Sequence, residues 1–274
     1  MRAEDRDLLA FVALAFGWSW LLWAPRALGA LGVTGLPRPP TVAAFGPTVA
    51  AFALAYRARG REGVLDLAGR AVDAGFPRRW WLPTLLLFPA INGGLLLLGV
   101  LLGEGLPGLP WAGEPLALPV GFLLVVLTSG PVQEEFGWRG YALDRFQARW
   151  AGSRWNALVS SLALGAVWAA WHAPLFLFDP AVIYRPENVV GFVPSILLVT
   201  VLVTWVYNNT GGSLLAAVLV HASFNFSHWA LPVLDAGVAR EAYPFVLLGV
   251  TVGVVLGWGP RDLRRGSSGG GARP

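Results

Sequence analysis

Two adjacent carboxylates and an arginine follow directly on an apolar run in this chain. The stretch Pro131-Val-Gln-Glu-Glu-Phe-Gly-Trp-Arg-Gly140 comes after Leu116 to Leu127, and no charge appears until Glu134. Ionisable groups attached to a segment this apolar cost on the order of 2.5 to 3.5 kcal/mol each on insertion, so they are rarely idle. On one continuous helix Glu135 and Arg139 share a face, while Glu134 points about 100° away. That spacing predicts a division of labour. Arg139 pairs with one carboxylate, and the other is left to face something else. A snorkelling cluster at a helix end would have the same spacing.

The chain has three histidines, and two of them fall in apolar stretches. His172 lies in Trp168-Ala-Ala-Trp-His172-Ala-Pro174, and His221 in His221-Ala-Ser-Phe-Asn225. Helical spacing puts Trp168 one turn from His172, and His221 on the same face as Asn225. His228 is expected near an interface. Taken singly, each polar residue reads as a hydrogen bond between helices. Taken together, they must converge if their segments are neighbours, because lipid does not solvate them.

Such a set can activate water against a carbonyl. A glutamate in a dry site is a competent general base. A histidine can orient the same water, and a second histidine with an asparagine can donate to the oxyanion as it forms. Alternatively, His172, His221 and Glu134 can hold zinc with one position open. The sequence leaves both chemistries standing. Other hydrolase signatures are weaker. His-Glu-x-x-His is absent, no aspartate falls within a predicted span, and Ser213 follows Gly211-Gly212 in a predicted turn. The absence of cysteine removes thiolate chemistry and disulfides.

The elements that must position these residues are membrane helices. The chain is 55% hydrophobic and 13% charged, against about 25% charged in soluble domains. The reading is an all-α polytopic membrane protein with about eight transmembrane helices, its polar cavity among spans 4, 5 and 7. Predicted spans are Leu8–Ala24, Thr41–Tyr56 (interrupted at Pro47, which kinks it or breaks its first turn), Trp80–Leu102, a fourth from Leu116, Asn156–Phe178, Val189–Tyr207, Leu214–Leu231 and Phe245–Trp258. Residues 1–260 form one integral domain, and 261–274 are expected to be a disordered basic Gly/Ser-rich tail.

Arginine asymmetry orients the bundle. The 57–79 and 139–154 connections carry six and four arginines. Both belong on the cytoplasmic side, with the N- and C-termini, in the plasma membrane. Arg57 to Arg79 reads as an amphipathic segment on the membrane surface, and Arg139 to Arg154 as a helix riding the interface. Glu134 then sits toward the cytoplasmic end of its span. His172, about 15 residues beyond Ala157, lies over 20 Å along the next membrane helix. The site closes only if that helix tilts or overhangs through Arg149 to Asn156. The net charge of +4 is a matter of topology, and nucleic acid is not an expected partner.

Glu134-Glu135-x-x-x-Arg139, an aromatic-x-x-x-His172 and His221-x-x-x-Asn225, in that order on separate apolar spans, resemble the CPBP family of intramembrane proteases. That family includes the eukaryotic type II CAAX prenyl endopeptidase and bacterial proteins linked to bacteriocin processing or self-immunity. The resemblance covers roughly residues 116–229. It implies Glu134 as general base, His172 holding the water, His221 and Asn225 as oxyanion site, and Glu135 with Arg139 as support. Trp168 stands where the family often has phenylalanine, which bears on cavity shape. The implied activity is endoproteolysis near the C-terminus of a membrane-associated, CAAX-like protein or peptide. The rival is a non-catalytic immunity factor, scaffold or small-solute carrier that uses the same cluster as glue or pocket.

Overall fold

The computed structural model describes residues 2–37 and 41–265, and among them there is helix and no strand. The helices are α1 (Ala3–Ala30), α2 (Gly46–Arg70), α3 (Trp81–Leu101), α4 (Ala117–Thr128), α5 (Pro131–Gly137), α6 (Leu143–Arg149), α7 (Asn156–Trp171), α8 (Leu175–Phe178), α9 (Val189–Asn209), α10 (Leu214–Ala230) and α11 (Gly237–Trp258). Six helical segments are long and apolar enough to cross a membrane. A seventh crossing arises if α4 and the helical run 131–149, bent by 42° at their junction, are one broken span. The protein is therefore a multi-pass membrane protein. Helices α9 and α10 form its centre, with buried residues along most of their length. Helix α4 is peripheral and buries none of its residues fully.

The second expected span departs from its predicted form. Pro47 does not kink a helix. It sits in the first turn of α2, where its missing N–H is harmless. The kink falls at Arg59 and Gly60, where Gly60 has φ +57°. The arginine-bearing half that follows is the amphipathic segment expected over 57–79. Only the first half of α2 runs through the bundle, so α2 is too short and too charged to qualify as a crossing helix by itself.

One face of the bundle gathers the arginine-rich connections and both ends of the described chain. Arg2 Nη1 donates to the Arg149 carbonyl at 3.1 Å, and Arg149 pairs with Asp5. Arg70 donates to Tyr207 Oη at 2.6 Å and to the Gly140 carbonyl at 3.1 Å. The Ala157 N–H donates to the Arg261 carbonyl at 2.8 Å. The predicted disordered tail needs correction at its start. Residues 261–265 are docked: Leu263 is buried, and the Asn208 and Asn209 amides donate to the Asp262 and Leu263 carbonyls at 2.9 and 2.6 Å. The remainder of that tail, 266–274, lies outside the described residues.

Close helix crossings explain some of the small residues. A Cβ on Gly137 would come within 2.4 Å of Pro47 Cβ, so α5 and α2 touch backbone to backbone. That contact sets the level of the carboxylate stretch.

Candidate active site

The break in the fourth span makes the site possible. Helix α4 stops at Thr128, Ser129 leaves helical geometry, and Gly130 takes φ +107°, which side chains with a Cβ rarely adopt. Pro131 then opens α5, fixed in φ and lacking an N–H that would need a partner. The chain continues through α5, a single π-helical turn at Trp138–Ala142, and α6 to Arg149. The arginine-bearing exit is therefore not a helix riding the interface. Trp138 to Leu143 are all buried, and the span runs on through them. The ionisable groups fail to end the span because they are paired inside it.

This lengthening corrects the depth of Glu134. It stands 15 residues before Arg149, or ~22 Å from the arginine-rich face at 1.5 Å per residue. His172 stands 16 residues after the start of α7, or ~24 Å from the same face. The two therefore sit at one level. No overhang is needed, and Ala151 to Trp155 form only the turn between α6 and α7.

The adjacent carboxylates divide as the spacing predicts. Glu135 is fully buried, and its Oε1 accepts from Arg139 Nη1 at 2.6 Å and from His221 Nδ1 at 2.8 Å. Arg139 is also fully buried, its guanidinium 5.2 Å from the centroid of the Trp168 ring. Glu134 is 5% exposed and has no cation bonded to it. Its Oε2 accepts two indole N–H groups, Trp138 Nε1 at 3.1 Å and Trp168 Nε1 at 2.5 Å. Its Oε1 lies beside Gly130. A Cβ built on Gly130 would be 2.7 Å from Oε1 and 3.5 Å from Asn225 Nδ2. Glycine thus leaves, between a carboxylate oxygen and an amide nitrogen, a narrow gap that a methyl group would overfill.

On α10, Asn225 Nδ2 donates to the Ser129 carbonyl at 2.7 Å and lies 3.3 Å from His221 Nε2. The carboxamide therefore ties the helix break to the imidazole one turn away. His172 caps the end of α7. Its Nδ1 donates to the Trp168 carbonyl at 2.8 Å, and its ring packs against Trp171, Tyr184 and Phe192. No hydrogen bond joins it directly to Glu134. Trp168 connects them, with its indole N–H on Glu134 and its carbonyl on His172. The site is thus two hydrogen-bonded sets, Glu134 with Trp138, Trp168 and His172, and Glu135 with Arg139, His221 and Asn225, which meet where the Trp168 ring lies against Arg139 and His221.

Three contributors escape a reading by motif. Trp138 was not singled out, although it stands one turn from Glu134, the same relation that links Trp168 with His172. Gly130 and the Ser129 carbonyl were also missed, and the Gly-Pro pair closing the apolar run was their signal. Ser213 behaves as a structural residue. Its Oγ accepts from the Ala216 N–H at 3.2 Å and caps α10. His228 donates to the Phe224 carbonyl at 3.0 Å and stands edge-on to Tyr243.

Among the described residues no three His, Asp or Glu side chains are grouped to hold a metal ion. His221 Nδ1 is directed to Glu135 and His172 Nδ1 to a carbonyl, which leaves Nε2 of each ring for a further partner, and the Trp168 ring lies against both imidazoles, 5.2 and 5.7 Å between centroids.

Comparison with known proteins falls on this same segment. Residues 116–227 match the family described as type II CAAX prenyl endopeptidase, Rce1-like. A stretch of 121 residues is 31% identical to CAAX prenyl protease 2 of Methanococcus maripaludis, covering 42% of this chain and 42% of that protein's length. The matched span begins at the start of the apolar run before Glu134 and ends just beyond Asn225. Over that span, the chain is similar to the Rce1-like type II CAAX prenyl endopeptidase family, and it spans less than half the length of the curated relative that it matches.

Proposed function

We propose that the protein is an intramembrane endopeptidase that hydrolyses a peptide bond near the C-terminus of a membrane-associated, CAAX-like protein or peptide. The observation that carries this reading is the gap over Gly130, with Glu134 Oε1 on one side and Asn225 Nδ2 on the other. A general base and an oxyanion donor must both reach one reacting group, and only a residue without a Cβ leaves room there.

In the proposed reaction Glu134 Oε1 takes a proton from water as the water oxygen attacks the scissile carbonyl. The two indole N–H groups on Oε2 hold the carboxylate in orientation. The oxyanion receives Asn225 Nδ2, which releases the Ser129 carbonyl, and His221 Nε2. Because His221 Nδ1 already donates to Glu135, Nε2 donates only in the imidazolium form, opposite the Glu135 carboxylate. Glu134 then passes its proton to the leaving amine. His172, held by the Trp168 carbonyl, orients the water. Glu135 and Arg139 position His221 and do not touch substrate.

Charge asymmetry supports reading the arginine-rich face as the cytoplasmic one, in the plasma membrane. The substrate is carried to the site by the bilayer itself.

The test is cleavage of a quenched prenyl-peptide panel, with non-prenylated controls, by purified protein in detergent. Wild type and Glu134→Ala are compared with and without a zinc chelator. The expected outcome is cleavage that resists chelation and falls at least about a thousandfold in the variant, within the range for loss of an acid–base group. Cleavage that survives Glu134→Ala would sink the assignment of the base. Loss under chelation with rescue by zinc would make the enzyme a metalloprotease. Absence of cleavage by wild type, together with greater loss of thermal stability in Glu134→Gln and His172→Gln, would favour a non-catalytic immunity, scaffold or carrier protein.

A further inference from the structure

The arginine-rich face holds a cavity of about 640 Å³ that the hydrolytic chemistry does not use. It lies between the end of α2, the start of α3, the Asn208–Ser213 turn and the docked segment 261–265. Arg70, Arg79, Arg264 and Arg265 line it, and Asp73 is the one acidic residue among the lining side chains. Asp73 is partly engaged, its Oδ1 accepting from the Gly75 N–H at 2.8 Å.

The four guanidiniums are not equivalent. Arg70 is committed to Tyr207 and the Gly140 carbonyl, and Arg264 donates to the Asn208 carbonyl. Arg265 stacks over the Trp258 ring, 4.5 Å from its centroid, and makes no hydrogen bond to a described residue. Arg79 has neither hydrogen bond nor ion pair among the described residues. Two of the four cations thus present free donor faces to the cavity, and the other two are fixed by bonds to the protein. The adjoining cavity of about 480 Å³ makes an internal control. It shares Arg70 and Arg264 but is also lined by Asp144 and Asp262, so its charge is balanced. The uncompensated excess belongs to the first cavity.

Depth narrows the occupant. Behind the cavity Trp80, Trp205 and Trp258 pack in series, with centroids 4.9 and 5.1 Å apart. Trp80 and Trp205 are buried in the protein, while Trp258 is half-buried at the end of α11, the position at which tryptophans mark the headgroup level of a bilayer. Basic pockets between membrane helices on an arginine-rich side are suited to lipid phosphate, and each nearby cation contributes about 1 kcal/mol. Arginine adds bidentate geometry for phosphate oxygens.

We propose that this cavity binds the phosphate of an anionic phospholipid headgroup, with Arg79 and Arg265 as its principal donors. The site is separate from the hydrolytic cluster and does not depend on the proteolytic reading.

The experiment uses the full chain, delipidated in detergent, with native mass spectrometry of bound phosphatidylglycerol and phosphatidylcholine at matched concentrations. Wild type is expected to prefer phosphatidylglycerol by about tenfold, and Arg79→Gln/Arg265→Gln to lose most of that preference. The control Arg57→Gln/Arg61→Gln removes the same charge from an exposed part of the same face. It is expected to stay within about twofold of wild type. Equal loss in both double variants would overturn the proposal in favour of a diffuse positive surface, as would no preference in wild type. Arg79→Gln alone, at a side chain without bonds to lose, should lower the preference about threefold. An unchanged ratio in that variant would remove Arg79 from the site. A further arm offers glycerol 3-phosphate alone. Binding of it as tight as that of the lipid would reassign the cavity to a soluble phosphate ester.

Discussion

Glu134 and Glu135 are neighbours in the chain and are held in opposite ways. Glu135 has two cationic or cation-capable partners, Arg139 and His221, on one oxygen, and no exposed surface. Glu134 has only neutral partners, two indole N–H groups, and its second oxygen faces a gap. A buried carboxylate bonded to a guanidinium is neutralised and belongs to the scaffold. A buried carboxylate held by neutral donors keeps its basicity and its orientation. The lesson is that in a dry site the charge of the partner, more than depth, separates structure from chemistry.

Exchanging each carboxylate for its amide is the sharpest way to break this comparison. Glu135→Gln leaves Arg139 and His221 buried without an anion, and the loss of one partner from a buried ion pair costs about 3 to 5 kcal/mol. The expected result is a large drop in the thermal unfolding midpoint in detergent, with poor recovery of folded protein. Glu134→Gln keeps its shape beside two donors and removes no ion pair. It should unfold within about 1 kcal/mol of wild type, the scale of one neutral hydrogen bond, while cleavage falls at least about a hundredfold. If the two variants exchange roles, with Glu135→Gln inactive but stable, the division between scaffold and base is wrong.

Much of this was legible before any coordinates. The i,i+4 relations of Glu135 with Arg139, His221 with Asn225 and Trp168 with His172 each correspond to a contact in the fold, because helical spacing dictates them. The convergence of three spans was also legible, because polar groups in an apolar bundle have only one another. What did not follow was the length of the fourth span. Arg139 read as an exit because a lone arginine seeks water, and its burial depends on Glu135 and a cation–π contact with Trp168, which are tertiary facts. At Pro47 two readings stood, a kink or a place in the helix's first turn, and the structure takes the second. A proline in the first turn and one in mid-helix look alike until the helix start is known.

Gly130 sharpens the comparison from the other side, since it separates the two carboxylates' fates without bearing a side chain. An alanine there must hold φ near +107°, and its Cβ would lie 2.7 Å from Glu134 Oε1. The backbone strain alone is worth about 1 to 3 kcal/mol. Gly130→Ala is expected to lower the unfolding midpoint by that modest amount and to reduce cleavage about a hundredfold, chiefly in kcat, because displacement of the catalytic geometry acts on the reacting state. A variant that loses stability but cleaves normally would show that the gap over Gly130 is not where the reacting group sits.

The smallest effect is expected at Trp138, and it probes what the neutral donors contribute. Trp138→Phe removes one N–H from Glu134 Oε2 and leaves Trp168 in place. The phenyl ring retains an aromatic surface against Phe11 and Trp171, which the indole meets edge-on at 5.5 and 6.0 Å between centroids, so packing changes little. The lost bond to a charged oxygen is worth about 1.5 to 3 kcal/mol when the carboxylate is ionised. Only the part of that energy that orients Oε1 toward water reaches the rate. A fall of about tenfold in kcat is expected, with KM within twofold, measured on the same peptide panel. Trp168→Phe should act more strongly, because it removes the shorter of the two bonds to Oε2, 2.5 Å against 3.1 Å. A Trp138→Phe enzyme at full rate would mean that a single indole suffices to hold the base. The comparison would then rest on the absence of a cation bonded to Glu134 rather than on the donors that replace one.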